Sequence, residues 1–136
     1  VEETESVALD SVARDAWATA ETAAATLDID ECRTITADRS RLQQALENLF
    51  RNAAEHGRAD VTVTVGELDD GFYVEDDGPG IPAEERESVF ENGFTTGENG
   101  TGLGLYIVQL IADAHDWSVT ASESEAGGAR FEFRYQ

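Results

Sequence analysis

Apolar residues at Leu42, Ala45, Leu46, Leu49, Phe50 and Ala53 recur three and four positions apart, the spacing that lays one buried stripe along a helix. The pattern predicts a helix over Arg39–Gly57, entered through Asp38 as a cap and ended by Gly57. Glu47 and Arg51 stand four apart on its solvent side, in the favourable order. Ser11–Leu27 reads as an alanine-rich helix with Ala13, Ala16, Trp17, Ala20 and Ala24 on one side. A further helix starts near Leu103, with Leu103, Ile107, Leu110, Ile111 and Ala114 as its buried face.

Elsewhere the period drops to two. Asp60–Leu68 alternates as a half-buried strand, Asp69–Gly71 is a turn, and Phe72–Asp77 returns as the hairpin partner. Trp117–Ser124 and Ala129–Tyr135, the latter alternating through Phe131, Phe133 and Tyr135, close the chain as a second strand pair around Glu125–Gly128. Ser6–Asp10 and Arg33–Asp38 are short strands, and Ala83–Glu91 is a short acidic helix after the break at Gly78–Pro82. Hairpins with clustered helices predict an α+β, two-layer α/β sandwich with a mixed sheet. No repeat or linker divides residues 1–136, so one domain is expected.

Composition changes this picture in four ways. The single cysteine, Cys32, excludes an internal disulfide framework. No apolar run approaches the roughly 18 residues of a membrane span, so a cytoplasmic location without direct membrane contact is expected. The absence of methionine implies a piece of a longer protein. Charge is the strongest global feature: 29 acidic residues face nine basic ones, all arginine, for a net charge of −20. With 40% apolar residues this is not a disordered acidic tail. Acid spread along the whole chain without lysine resembles the proteins of extreme halophiles. At about 1 M salt the Debye length is only about 3 Å, which screens such a surface. Nucleic acid is a poor partner for it.

Four short stretches carry candidate chemistry. Asn48 and Asn52, four residues apart, share a helix face beside the apolar stripe. An amide oxygen is a suitable ligand for hard Mg²⁺, which shares substrate phosphates. "DDGPGIP" places Asp76, Asp77, Gly78 and Gly80 directly after a strand, where a carboxylate can accept from an exocyclic amine. "GTGLGL" (Gly100, Thr101, Gly102, Leu103, Gly104) opens a helix. Its bare backbone and the free N–H groups of a helix start favour a phosphate. "EAGG" lies between the last strands. Taken singly, these are polar helix positions, an ordinary turn, a surface loop with a helix cap, and a hairpin turn.

In this order, however, they resemble the ATP-binding catalytic domain of sensor histidine kinases, within the superfamily shared with gyrase, the Hsp90 chaperones and MutL. The resemblance covers roughly Asp38–Tyr135 and implies a Bergerat-type fold binding ATP and Mg²⁺. It makes "ENLFRNAAEHG" the N box, with Asn52 the Mg²⁺ ligand, Asn48 beside the phosphates and His56 packed on adenine. It makes Asp76 the reader of the adenine amino group, with Gly78 and Gly80 shaping that wall. Phe90 and Phe94 become hinges of a lid over roughly Thr95–Gly100, and Thr101, Gly102, Leu103 and Gly104 the phosphate loop. It further implies a histidine-bearing dimerisation domain and a response-regulator receiver domain as partners, the phosphoacceptor histidine lying outside this chain.

ATP-hydrolysing members and the related anti-sigma serine kinases carry a glutamate base where this sequence has Asn48, and an amide cannot take a proton near pH 7. The resemblance therefore favours phosphotransfer to histidine over hydrolysis or serine phosphorylation. Four positions depart from the family pattern. Glu55 stands where lysine or arginine is usual and Gly97 where lysine is common, and in the last glycine box Ala126 and Ala129 replace a glycine and the threonine. These departures leave a catalytically degenerate nucleotide-binding scaffold as the alternative. Arg51 is a candidate substitute cation, and His115 is expected to cap a helix end rather than to catalyse.

Overall fold

The computed structural model describes residues 4–19, 26–30, 34–56, 61–78, 80, 84, 90, 104–124 and 127–135. Strand β1 (Glu5–Ala8) runs straight into helix α1 (Leu9–Thr19), followed by β2 (Thr26–Ile29) and β3 (Thr34–Ala37). Helix α2 (Arg39–His56) leads to the hairpin β4 (Thr62–Leu68) and β5 (Gly71–Asp76). Helix α3 (Gly104–Ala114) precedes a second hairpin, β6 (Ser118–Glu123) and β7 (Ala129–Arg134). Five strands form one mixed sheet in the order β2-β4-β5-β7-β6, with β2 parallel to β4 and the other pairs antiparallel. β1 and β3 pair separately as an antiparallel ribbon. This is the expected α+β architecture of helices and a mixed sheet.

Alternation on the strands builds the core. Val63 and Val65 of β4, Phe72 and Val74 of β5, Val119 of β6, and Phe131 and Phe133 of β7 are buried. Phe72 stacks on Phe133 at 4.6 Å and meets Trp117 edge-on at 5.7 Å. Burying each such side chain is worth about 1.5–3 kcal/mol relative to exposure. Helix α2 buries all six residues of its predicted stripe, Leu42, Ala45, Leu46, Leu49, Phe50 and Ala53. Its Phe50 meets Trp17 of α1 edge-on at 5.2 Å. Asp38 caps α2 as expected, accepting from the Arg41 N–H at 3.3 Å.

The alternate strand positions carry charge. Arg130 bridges Glu75 (2.6 Å) and Glu132 (2.8 Å) and lies 4.1 Å over the Tyr73 ring. The guanidinium of Arg130, with that of Arg134, holds the Glu132 carboxyl below the ordinary carboxylate range.

Several expectations are corrected. Thr26 and Leu27, read as the end of a helix, begin β2. The Thr26 N–H donates to the Val61 carbonyl at 2.9 Å and the Asp30 N–H to the Val65 carbonyl at 2.8 Å, so distant pairing overrides local alanine-rich propensity. Helix α3 is turned by about one residue from its expected face: Val108, Ile111 and Ala112 are buried, whereas Leu110 is 48% exposed and Ala114 faces solvent. Asp10 lies in α1 rather than in a strand. Ala20, Ala24 and Leu103 lie outside the described residues, as does nearly all of Ala83–Glu91.

His115 does cap α3, its Nδ1 lying 2.8 Å from the Ile111 carbonyl. It also accepts the Asp38 N–H on Nε2 at 3.0 Å and stacks on Trp117 at 4.3 Å, tying the end of α3 to the start of α2.

Candidate functional site

Asp76 ends β5, and the pairing of β5 with β7 decides what surrounds it. Its Oδ1 accepts from two backbone donors, the Gly78 N–H at 2.9 Å and the Ala129 N–H at 3.1 Å. Burial pushes the Asp76 carboxyl above its ordinary value; the two N–H bonds pull the other way, and the neighbouring Asp77 charge adds to the rise. With Oδ1 doubly engaged, the second oxygen is the one left to accept from a ligand.

Close packing shapes the wall beside it. Gly80 has φ +79°, and a Cβ there would stand 2.7 Å from the Gly127 carbonyl oxygen. A Cβ on Gly128 would overlap both the Asp76 carbonyl and its Oδ1. Neither position admits a side chain without moving the carboxylate or its turn. Asp77 accepts the Thr62 N–H at 2.8 Å, fixing the start of β4 against the same turn. Asp76, Gly78 and Gly80, predicted together from one motif, are thus brought together with the turn between β6 and β7.

The second part of the candidate site rises from α2. Asn48, Asn52 and His56 follow one another at four-residue steps along that helix, and His56 is its last residue. Only five residues separate His56 from Thr62, so the chain holds this end of α2 within a reach on the order of 20 Å of the start of β4, which Asp77 fixes. Asn48 Oδ1 accepts from Arg51 Nη1 at 3.1 Å. Its Nδ2 is buried and has no hydrogen-bond partner among the described residues, an omission that costs about 1–3 kcal/mol. An unpaired buried donor suits an anionic oxygen, and the half-buried amide of Asn52 supplies an oxygen suited to a hard cation. The residues present therefore fit a magnesium-bound phosphate chain.

Glu47 departs from expectation. It is only 17% exposed, not turned to solvent, because Gln43 Nε2 donates to it at 3.0 Å and Arg51 pairs with it at 3.7 Å. Gly104 opens α3, which packs beside α2. Phe90 is half-buried and meets Phe131 edge-on at 6.0 Å. Phe94, Gly100, Thr101, Gly102 and Leu103 lie outside the described residues.

Comparison with known proteins decides the family. A profile described as histidine kinase-, DNA gyrase B-, and HSP90-like ATPase matches residues 37–136. The chain belongs to this family.

The relatives of this histidine-kinase-like ATPase domain are sensor kinases. It is 43% identical over 107 residues to the sensor histidine kinase ZraS of Klebsiella oxytoca, covering 75% of this chain and 23% of that protein. It is 34% identical over 112 residues to the two-component sensor PhoQ of Pseudomonas aeruginosa, covering 79% of this chain and 25% of that one. The domain thus spans about a quarter of the length of these relatives. Among solved structures it resembles the catalytic domain of histidine kinase ThkA, with a TM-score of 0.79 and 29% identity over 98% of this chain and 95% of that one. It also resembles full-length ShkA in complex with AMPPNP, with a TM-score of 0.78 and 29% identity over 98% of this chain and 31% of that one. Family membership supports nucleotide binding by this ATPase domain.

Sequence reasoning missed two contributors. Ala129 acts through its backbone N–H, which no residue pattern reveals. Ser124, discussed below, is one serine in a polar run, and only the pairing of β6 with β7 shows where it points.

Proposed function

We propose that the chain binds Mg·ATP and donates its γ-phosphoryl group to a histidine on a separate helical domain of a two-component sensor kinase. A response-regulator receiver domain is the next partner in that scheme. The observation that carries the reading is the Asp76 carboxylate, held on two backbone N–H groups with one oxygen left to accept the exocyclic amine of adenine. Asn48 would donate its unpaired Nδ2–H to a phosphate oxygen, Asn52 would hold the magnesium beside it, and His56, the last residue of α2, is assigned to the base side by its place in the motif. By their place in the motif, Phe90 and Phe94 are assigned to the ends of the lid and Gly100, Thr101, Gly102, Leu103 and Gly104 to the phosphates, where the N-terminus of α3 would favour an anion. Magnesium, held by Asn52 when bound with the nucleotide, supplies charge neutralisation on the phosphates.

The transfer needs positioning more than covalent chemistry from the protein. A histidine ring nitrogen bonds to the γ-phosphorus, the bond to the β–γ bridging oxygen breaks, and ADP leaves with that electron pair. Among the described residues of α2 none is placed as a base for hydrolysis: Asn48 cannot accept a proton, and Glu47 is engaged by Gln43 and Arg51.

The degenerate-scaffold reading draws on Glu55, Gly97 and Ala129. At Ala129 the structure weakens it, because the contact to Asp76 comes from the backbone and survives loss of the threonine. The acidic surface makes high salt the working condition, with potassium screening the −20 net charge.

Reconstitution tests the proposal. In molar KCl with Mg·ATP, the chain alone should release no phosphate, and addition of a histidine-bearing helical hairpin from the same sensor should yield acid-labile phosphohistidine. Steady ATP hydrolysis by the chain alone would overturn it in favour of a hydrolase.

A further inference from the structure

We infer that Ser124 is a positioning residue for base selection, setting the Asp76 carboxylate through the turn between β6 and β7. The inference rests on the nucleotide-binding reading above and assigns that site a determinant of its selectivity.

Ser124 is 4% exposed and is the one polar residue in the buried set among the described residues. Its hydroxyl is used in both directions: Oγ donates to the Asp76 carbonyl at 2.7 Å and accepts from the Gly128 N–H at 2.9 Å. Its backbone closes the same turn, since the Ser124 N–H donates to the Gly128 carbonyl at 2.9 Å and the Gly127 N–H to the Ser124 carbonyl at 3.0 Å. One side chain therefore links the end of β5 to the residue preceding Ala129. Ala129 in turn delivers the N–H that holds Asp76 Oδ1.

The packing leaves little room for an alternative arrangement. Gly128 lies so close to Asp76 that a single added carbon would overlap both its carbonyl and its carboxylate. Ala129 brings no hydroxyl to this point, so the hydroxyl that fastens the turn to Asp76 comes from the end of β6. Removing it deprives the Gly128 N–H of its buried acceptor and loosens the turn from β5. The Ala129 N–H then no longer fixes Oδ1, and the carboxylate rests on the Gly78 N–H alone. A carboxylate free to rotate accepts less well from an exocyclic amine, while contacts to the phosphates are untouched.

The test is competitive titration of wild type and Ser124→Ala with ATP and with inosine triphosphate, which carries a carbonyl where ATP carries the amine. Unfolding is monitored alongside. Loss of one buried hydrogen-bonded hydroxyl should weaken ATP by about fivefold to tenfold, leave the inosine nucleotide unchanged, and lower the ATP preference by the same factor. An unchanged preference, with both nucleotides weakened equally or neither affected, would overturn the inference and leave Ser124 a structural residue. Should Ser124→Ala not fold, Ser124→Cys keeps the volume with a weaker donor and should show a smaller loss of preference in the same direction; an unchanged preference there overturns the inference equally. Failure of folded wild type to bind ATP would overturn the nucleotide-binding reading and this inference together, an outcome separate from binding with unaltered selectivity.

Discussion

At the end of β5, Asp76 is gripped by backbone: two N–H donors on one oxygen, and glycines packed so closely that no side chain fits. On α2, Asn48 and Asn52 are side chains on one helix face, and the Asn48 amide nitrogen is buried with no partner among the described residues. The proposed base end is thus complete before any ligand arrives, whereas the proposed phosphate end lacks an acceptor that the ligand itself would supply. Rigidity suits selection of one base among similar ones, because a misplaced acceptor cannot adapt. An unpaired donor suits phosphate, because a charge-assisted hydrogen bond relieves its desolvation.

Separating the two ends is the way to test that contrast. The largest effect is expected from Asp76→Asn. An amide oxygen can still accept both backbone N–H groups, so the turn stands, but the group facing the base becomes a donor. ATP affinity should fall about a hundredfold, in line with the loss of a charged hydrogen bond and its replacement by a mismatched donor. Isothermal titration checks it.

The same variant has a pH signature. Burial raises the Asp76 carboxyl pKa in the folded chain. Its contribution to stability is therefore fully present below the unfolded carboxylate pKa and lost as pH rises through the raised folded value. Asp76→Asn, which removes that loss, should melt no lower than wild type at neutral pH, and its advantage should shrink as the pH is lowered. Thermal melts of both proteins over a shared pH series measure the difference, with the other carboxylates cancelling.

Gly128→Ala attacks the base end by volume instead of charge. The added carbon overlaps Asp76, so stability should drop by about 1–3 kcal/mol with adenine preference lowered as well, seen in urea unfolding and nucleotide competition. Asn52→Ala, at the other end, should weaken ATP about tenfold only when magnesium is present and leave adenosine, which has no phosphates, unaffected. A loss of adenosine binding in this variant would break the division between the two ends. Arg51→Ala should be the mildest. Its pair with Glu47 is partly exposed and worth about 0.3–0.5 kcal/mol, so melting should scarcely move. Any larger loss of ATP affinity would show that Arg51 serves the phosphate end, either as the cation missing at Glu55 and Gly97 or by holding Asn48 Oδ1.

The contrast also explains what the sequence made legible. Helix α2 was readable because six apolar residues keep one period and the remaining positions, Ala54 apart, are polar. Helix α3 was not, because Leu105, Ile107, Leu110 and Ile111 make it apolar on several sides, and periodicity then allows more than one face. Strand β2 is short and half-exposed, and its partner β4 lies far along the chain, so its signal is tertiary. At the candidate site, Asp76, Gly78 and Gly80 were visible as a turn motif after a strand. What holds them was hidden: a backbone N–H at Ala129 carries no residue code, and the Ser124 hydroxyl finds its partners only when the hairpin pairs with β5. The engagement of Glu47 was hidden for a related reason, since helical spacing gives its direction but not the reach of Gln43 and Arg51.

The most direct test of the two-ended site is calorimetric titration in molar KCl of wild type, Asp76→Asn and Asn52→Ala with ATP and with adenosine, each with and without magnesium. The account predicts that Asp76→Asn weakens both ligands regardless of magnesium, while Asn52→Ala weakens only ATP and only with magnesium. Equal losses for both ligands in both variants, or no magnesium-dependent ATP binding by folded wild type, would contradict it.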